Sequence, residues 1–350
     1  MATLDFRQIE WDEAIEDDCR QLVRLAVRED LDRWFDWTTV ALVPEGLPGK
    51  AKVVARQRGV IAGLAAAQVV LDEYDRRIEW RTLARDGETI EAGRAVAELS
   101  GPARSLLTVE RPLLNLLCHL SGIATLTRAY VDAVAGTPAR VYDTRKTIPG
   151  LRRLEKYAVR CGGGRNHRLG LFDGVLVKDN HLAFCAAAMA PAHGVTPGPP
   201  AAGALASLTA DEIAKVAAYL AGGMAKASAP GARLTPAQAV AKVREFLRDV
   251  EADDPRAGLI VEVEVDTLEQ LDDVLPAGPD IVLLDNMSPA QLREAVVRRN
   301  AAFPQVQLEA SGGIDLATIG EIARTGVERI SVGALTHSAK WLDLGLDWQP

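Results

Sequence analysis

Lysine and arginine crowd the stretch from Arg140 to Arg168, where nine such side chains and His167 stand against only Asp143 and Glu155, in a chain of formal net charge −8. Fixed cations at that density call for an anionic ligand, phosphate or carboxylate; a solvated basic face is the competing reading. Three details favour a ligand. Gly162, Gly163 and Gly164 lie beside the charges, where backbone can approach a bound molecule closely. Arg145 and Lys146 follow a short β-like run, Ala139 to Tyr142, and Lys178 follows another, Gly174 to Val177. These cations therefore sit at strand ends.

The same pattern of apolar run, polar end and helical segment recurs downstream. Leu259 to Val265 ends at Glu264 and Asp266, Asp280 to Leu284 at Asp285, Val306 to Ala310 at Ser311, and Arg329 to Val332 at Gly333. The steps from Glu264 to Asp285, Ser311 and Gly333 are 21, 26 and 22 residues, the length of a strand, a loop and a helix. Repeated βα units imply a parallel sheet, whose covered strands read as continuously apolar, as residues 281–284 do. Closed into a barrel, the sheet gathers every strand's C-terminal end around one mouth. The last two units carry Ser311-Gly312-Gly313 and Val332-Gly333-Ala334, loops whose backbone N–H groups can cradle a phosphate. One such loop is more often a plain turn; two in succession point to a phosphate corner.

With these blocks in hand, the chain resembles the quinolinate phosphoribosyltransferase family, also called nicotinate-nucleotide pyrophosphorylases (carboxylating). The resemblance rests on residues 110–125, 143–159, 162–181, 261–266, 283–286, 308–313 and 332–338, in family order. It implies an α/β fold of type II phosphoribosyltransferase form, with an N-terminal α/β sandwich domain and an incomplete α/β barrel. The domains expected are residues 1–115, with the tail 339–350 packed back on them, and a catalytic barrel over 116–338 with an insertion at about 186–250.

The implied reaction moves a phosphoribosyl group from phosphoribosyl pyrophosphate to the ring nitrogen of quinolinate, releasing pyrophosphate and carbon dioxide and leaving nicotinate mononucleotide, a step of de novo NAD synthesis. Two adjacent carboxylates on quinolinate suit several cations, preferably guanidinium groups that bind bidentately. Arg111, Arg145, His167, Arg168 and Lys178 match the family's quinolinate-binding positions, and Lys146 the lysine facing the leaving pyrophosphate. Glu264 and Asp285 match the acceptors of the ribose hydroxyls and favour oxocarbenium-like charge. Ser311, Gly312, Gly313, Gly333 and Ala334 are the expected phosphate-binding residues. Mg²⁺ arrives with the substrate phosphates and keeps several waters, so no dedicated protein metal site is expected. The resemblance also implies a homodimer in which Arg111 is donated to the neighbouring site.

Each position has a bland competitor. Glu264 shares a strand face with Glu262 and is equally suited to an interior ion pair; His167 suits a structural role; Arg111 suits a helix surface. Asp285 can cap the following helix, a service Asn286 and Ser288 also offer.

The N-terminal third reads as a helix from Glu13 to Arg28, strands at Lys52–Val60 and Ile78–Leu83, and a stretch, 84–101, like the paired-glycine hairpin of biotinyl carriers. A helix from Thr108 to Ala135 leads into the barrel. Two departures from the family stand out. Phe35-Asp36-Trp37-Thr38 replaces the usual Gly-Asp-x-Thr turn, and the connection after Lys178 is far longer than usual. That connection reads as a helical excursion outside the barrel, with helices at Asp211–Lys226 and Pro236–Val250 capped by Thr209 and Thr235.

At 350 residues and 48% hydrophobic, the chain can bury two domains of core. Cys19, Cys118, Cys161 and Cys185 show no metal spacing and fit free thiols in a reducing cytoplasm; for Cys161, near the site, a passive role is favoured over sensitivity to oxidation. No secretory signal or membrane-length apolar run is evident. Three alternatives remain: a paralogue of the same fold from molybdenum-transport operons acting on another acceptor, a nucleic-acid binder, and an inactive ligand sensor. The acidic total and the lack of basic patches interleaved with aromatics argue against nucleic acid.

Overall fold

Asp12 opens the first helix by accepting from Ile15 N, and Glu13 and Glu16 face that helix's positive end. The computed structural model describes residues 4–187, 234–248 and 258–349. Helix α1 (Glu13–Leu31) buries Ile15, Cys19 and Val23, spaced by four, on one face. Then follow α2 (Trp37–Leu42), β1 (Pro48–Ala55), β2 (Gly59–Val60), α3 (Leu64–Tyr74), β3 (Glu79–Thr82), β4 (Thr89–Ile90), β5 (Ala95–Pro102) and α4 (Ala103–Ala133). The expected strand at 52–60 is thus broken between β1 and β2. The expected hairpin at 84–101 is not one either: β4 pairs with β2, while β5 pairs with β1 and β3. Gly87 and Gly93 do adopt left-handed backbone, at φ 86° and 83°, but the turns they make send the two strands to different sheets.

Helix α4 passes through residues 115–116 without a break and carries a buried stripe that includes Leu106, Val109, Leu113, Leu117 and Leu120. It is the axle on which both halves pack. Gly122 lets the chain after residue 338 cross it, since a Cβ there would lie 2.2 Å from Lys340 O. The crossing chain ends as β12 (Leu344–Gln349), which pairs antiparallel with β1 and completes the sheet β12-β1-β5-β3.

The second half continues β6 (Arg140–Tyr142), α5 (Arg152–Cys161), β7 (Val175–Val177), α6 (Asp179–Ala187), α7 (Pro236–Phe246), β8 (Val261–Val265) and α8 (Leu268–Val274). After these come β9 (Ile281–Asp285), α9 (Pro289–Ala302), β10 (Gln307–Ser311), α10 (Ile319–Ala323), β11 (Arg329–Ser331) and α11 (Ala334–His337). Six parallel strands run in the order β6-β11-β10-β9-β8-β7. The sheet curls, because His167 reaches Glu262 on β8 and Glu309 on β10 at once, at 2.9 and 3.4 Å. The edge strands β6 and β7 do not pair with each other among the described residues; a single parallel bridge, Tyr142 to Arg165, lines the gap with the chain that follows the triple glycine. The barrel is therefore incomplete.

Thr235 caps α7 in a reciprocal box with Gln238. Ala239 and Val240 are buried and Arg244 pairs with Asp280, so α7 packs as the barrel's own helix between β7 and β8 rather than as an excursion. The expected helix at 211–226, with Thr209, and most of the 186–250 insertion lie outside the described residues.

Candidate active site

A cavity of about 700 Å³ opens at the C-terminal ends of the parallel strands. From the β6 and β7 ends, Arg145, Lys146 and Lys178 line it, with His167 and Arg168 between them. Glu264 from β8 and Asp285 from β9 face these cations, and Ser311, Gly312, Gly313, Gly333 and Ala334 close the far side. Arg111 alone among the residues singled out from sequence stands apart, exposed on α4.

The competing roles resolve locally. Ser288 caps α9 in a reciprocal box with Gln291, which leaves Asp285 free to face the cavity. Asn286 holds a left-handed backbone at φ 52°, donates Nδ2 to Asp285 Oδ2 at 2.7 Å and donates its main-chain N–H to Ser311 O at 2.9 Å. Its side chain fills the space beside Gly312, where a Cβ would lie 2.1 Å from Asn286 Oδ1. Gly333 makes room for Lys146 in the same way, since a Cβ there would be 3.0 Å from Lys146 Cδ. Lys178 donates to Glu264, and Glu262 goes instead to His167.

Beneath the cavity the barrel is ionic. Glu309 accepts from Arg329 Nε at 2.8 Å, and Arg329 lies 3.7 Å from the centre of the Tyr142 ring. Burial pulls the His167 imidazole down, but Glu262 and Glu309 outweigh it and raise it to about 9. Glu262 thus favours a proton at Nε2, while Nδ1 accepts the Arg168 N–H at 2.8 Å, a bond that full protonation of the ring would cost. Burial likewise pushes Glu309 up, while His167 and Arg329 hold it well below the carboxylate range. His167, Glu262 and Glu309 lie close enough to hold a metal ion, yet His167 and Arg329 already neutralise both acids. Arg168 is lowered by burial and then by neighbouring Arg145, with Glu262 opposing them.

A second buried pair braces the cationic loops. Lys156 donates to Asp143, both fully buried, and Asp143 also accepts from His167 N at 2.9 Å and Asn166 Nδ2 at 2.7 Å. The strand before Arg145 is thereby tied to the segment that presents His167 and Arg168. Glu155 supports the next loop, accepting from Ile148 N at 3.3 Å and contacting His119 Nε2 at 2.9 Å. Cys161 is not poised for oxidation: burial, and then Asp86, pushes its thiol up to about 12.

Glu309 and His337 also line the cavity and were not singled out from sequence, and Asn286, which lines it too, was read there only as a helix cap. Glu309 lies two residues before Ser311 on one strand, so alternation alone marks it as facing the same way.

Comparison with known proteins follows the same outline. A model of the quinolinate phosphoribosyl transferase C-terminal domain matches residues 123–194 and 211–347, and one of the N-terminal domain matches 36–121. The chain is 43% identical over 333 residues to nicotinate-nucleotide pyrophosphorylase [carboxylating] of Mycobacterium leprae, covering 95% of this chain and 97% of that one. It is 33% identical over 344 residues to the chloroplastic protein of that name from Arabidopsis thaliana, covering 94% and 82%. Among solved structures, the nicotinate-nucleotide pyrophosphorylase of Francisella tularensis superposes with a TM-score of 0.76 at 33% identity, covering 99% of this chain and 100% of that one.

Proposed function

The chain belongs to the quinolinate phosphoribosyltransferase family, and from that premise we infer how its barrel mouth works. The enzyme is a pentosyltransferase of NAD biosynthesis. It transfers the phosphoribosyl group of phosphoribosyl pyrophosphate to the ring nitrogen of quinolinate and releases pyrophosphate and carbon dioxide, leaving nicotinate mononucleotide. The observation that carries the residue roles is the convergence of Arg145, Lys146, Arg168 and Lys178 opposite Glu264 and Asp285 in one cavity.

Arg145, Arg168 and Lys178 bind the two carboxylates of quinolinate, with His167 as a further cation at the base. Loops 311–313 and 333–334 take the 5′-phosphate through backbone N–H groups. Glu264 and Asp285 accept from the ribose hydroxyls and stabilise positive charge at the anomeric carbon as its bond to pyrophosphate breaks. Lys146 faces the departing pyrophosphate. Once the ring nitrogen carries ribose, the pyridinium holds the electron pair left when the C2 carboxylate leaves as carbon dioxide, and a proton then takes its place.

Mg²⁺ accompanies phosphoribosyl pyrophosphate. Glu264 and Asp285, oxygen donors that face the mouth, would hold it through its waters, and it would supply charge neutralisation for the leaving diphosphate. Arg111, exposed on α4 away from its own mouth, completes the site of a second copy in a homodimer. A cytoplasmic setting suits the described cysteines 19, 118 and 161, which are free, and none of the described helices is long and apolar enough to cross a membrane.

The test is turnover with quinolinate, phosphoribosyl pyrophosphate and Mg²⁺, following nicotinate mononucleotide and carbon dioxide together, with nicotinate as control acceptor. Stoichiometric formation of both products from quinolinate alone is expected. Failure to bind either substrate in calorimetry overturns the reading.

A further inference from the structure

The chain before α1 runs under the barrel, opposite the mouth. Asp5 bonds Arg165 at 2.7 Å, Arg329 at 3.0 Å and the Tyr142 hydroxyl at 3.2 Å. Phe6, 4% exposed, packs with Ile260 and Ile281, and its ring centre lies 4.4 Å from that of His167 with the planes 31° apart. Arg329 Cζ stands 5.3 Å from the same ring, so Phe6 lies against two cations. The next residues grip the one before His167: Gln8 and Asn166 exchange hydrogen bonds at 2.9 and 3.1 Å, and Ile9 N donates to Asn166 Oδ1 at 2.8 Å. Gly174 leaves the space, since a Cβ there would lie 2.8 Å from Phe6 Cε1. The segment itself, Asp5 to Ile9, falls before residue 36, where the matched N-terminal model begins, whereas its partners lie within the matched C-terminal model.

We propose that the N-terminal segment is a working part of the acceptor site, with Phe6 a positioning residue whose ring is the floor that holds His167 toward the mouth. This rests on the assignment of the mouth to quinolinate. A plug that merely closed the barrel would need apolar bulk alone. Here an aromatic face meets the imidazolium, an arrangement favourable for a desolvated cation. The hydrogen bonds through Asn166 fix the backbone that also carries Arg168, so the floor acts on the carboxylate-binding side of the cavity. The glycine loops for phosphate line the far side of the mouth.

The experiment compares Phe6→Leu, which keeps apolar volume but removes the ring face, with the unaltered full-length chain. Phe6→Leu should raise KM for quinolinate about five- to twenty-fold. KM for phosphoribosyl pyrophosphate should not change. Gly174→Ala, which crowds Phe6 from the other side, should move quinolinate KM in the same direction and serves if Phe6→Leu does not fold. An unchanged quinolinate KM in folded Phe6→Leu, or an equal rise in both KM values, overturns the proposal and leaves a structural plug. If the unaltered chain makes no nicotinate mononucleotide, the acceptor assignment falls first and this inference with it, a result visible before any variant is assayed.

Discussion

Lys178 donates its ammonium to Glu264 between the paired ends of β7 and β8, so the mouth at rest joins one of its binding cations to one of its acids. On the roles proposed above, substrates divide this pair, giving Lys178 a carboxylate and Glu264 a ribose hydroxyl.

Lys178→Ala removes one charge-assisted bond to quinolinate, worth roughly 1.5–3 kcal/mol. KM for quinolinate should rise by about one to two orders of magnitude in steady-state assays. Glu264→Gln should act chiefly on kcat, because its charge matters most when the anomeric carbon is cationic. Equal kcat in Glu264→Gln and the unaltered enzyme would sink that role.

His167 supplies a pH signature. Its protonated form is favoured by Glu262 and Glu309, so the contribution is full below the ordinary imidazole range and lost as pH rises through about 9. KM for quinolinate should stay flat across neutral pH and climb as that value is passed. His167→Gln should abolish this limb of the profile; a limb that persists belongs to another group.

Gly312→Ala places a Cβ against Asn286 and forces a side chain into left-handed backbone at φ 95°. Either strain displaces the phosphate loop or Asn286, and with it Asp285. Calorimetry should show weaker binding of phosphoribosyl pyrophosphate, with quinolinate binding to the free enzyme kept. Retention of both affinities would remove this loop from the phosphate site.

At quinolinate concentrations near the KM of the unaltered enzyme, Arg111→Ala and Lys178→Ala should each turn over only weakly alone yet recover activity on mixing. In a mixed dimer one of the two sites has both residues intact, so a random equimolar mixture reaches about a quarter of normal activity. No recovery after subunit exchange verified by mass spectrometry rejects the shared site.

Lys156→Met leaves Asp143 buried without its counter-charge. Removing one member of a buried pair costs about 3–5 kcal/mol. The denaturation midpoint should fall accordingly, and the double variant Lys156→Met with Asp143→Leu should regain part of the loss. A midpoint unaffected by Lys156→Met would mean that Asp143 is neutral in the fold.

The parallel strands and their polar ends were legible because each is a short apolar run that stops abruptly, as at Asp285 and Ser311. Cations near the gap between β6 and β7 were legible for the same reason. Other features depend on register between segments distant in sequence. Asn286 meets Gly312 only because β9 and β10 pair Asp285 with Ser311. Phe6 gave no signal in sequence, because its partners Ile260 and Ile281 lie more than 250 residues away along the chain. Helix α7 resembled an excursion because the sequence around it departs from family length, whereas Val240, buried against the barrel, decides its place. The strands of 84–101 suggested a hairpin because local turn chemistry is visible and choice of partner is not.

The pairing of β12 with β1 has a consequence for the order of synthesis. Strand β1 ends at residue 55, but its outer neighbour begins only at residue 344, after the whole barrel has been translated. At about 5–20 residues per second, the interval between them lasts roughly 15–60 s, during which the edge of β1 stands uncovered on the ribosome. An open edge invites pairing with another chain. The charged side chains Lys50 and Lys52 on that strand are therefore useful twice, first as guards of a nascent edge and later as ordinary surface of the finished sheet.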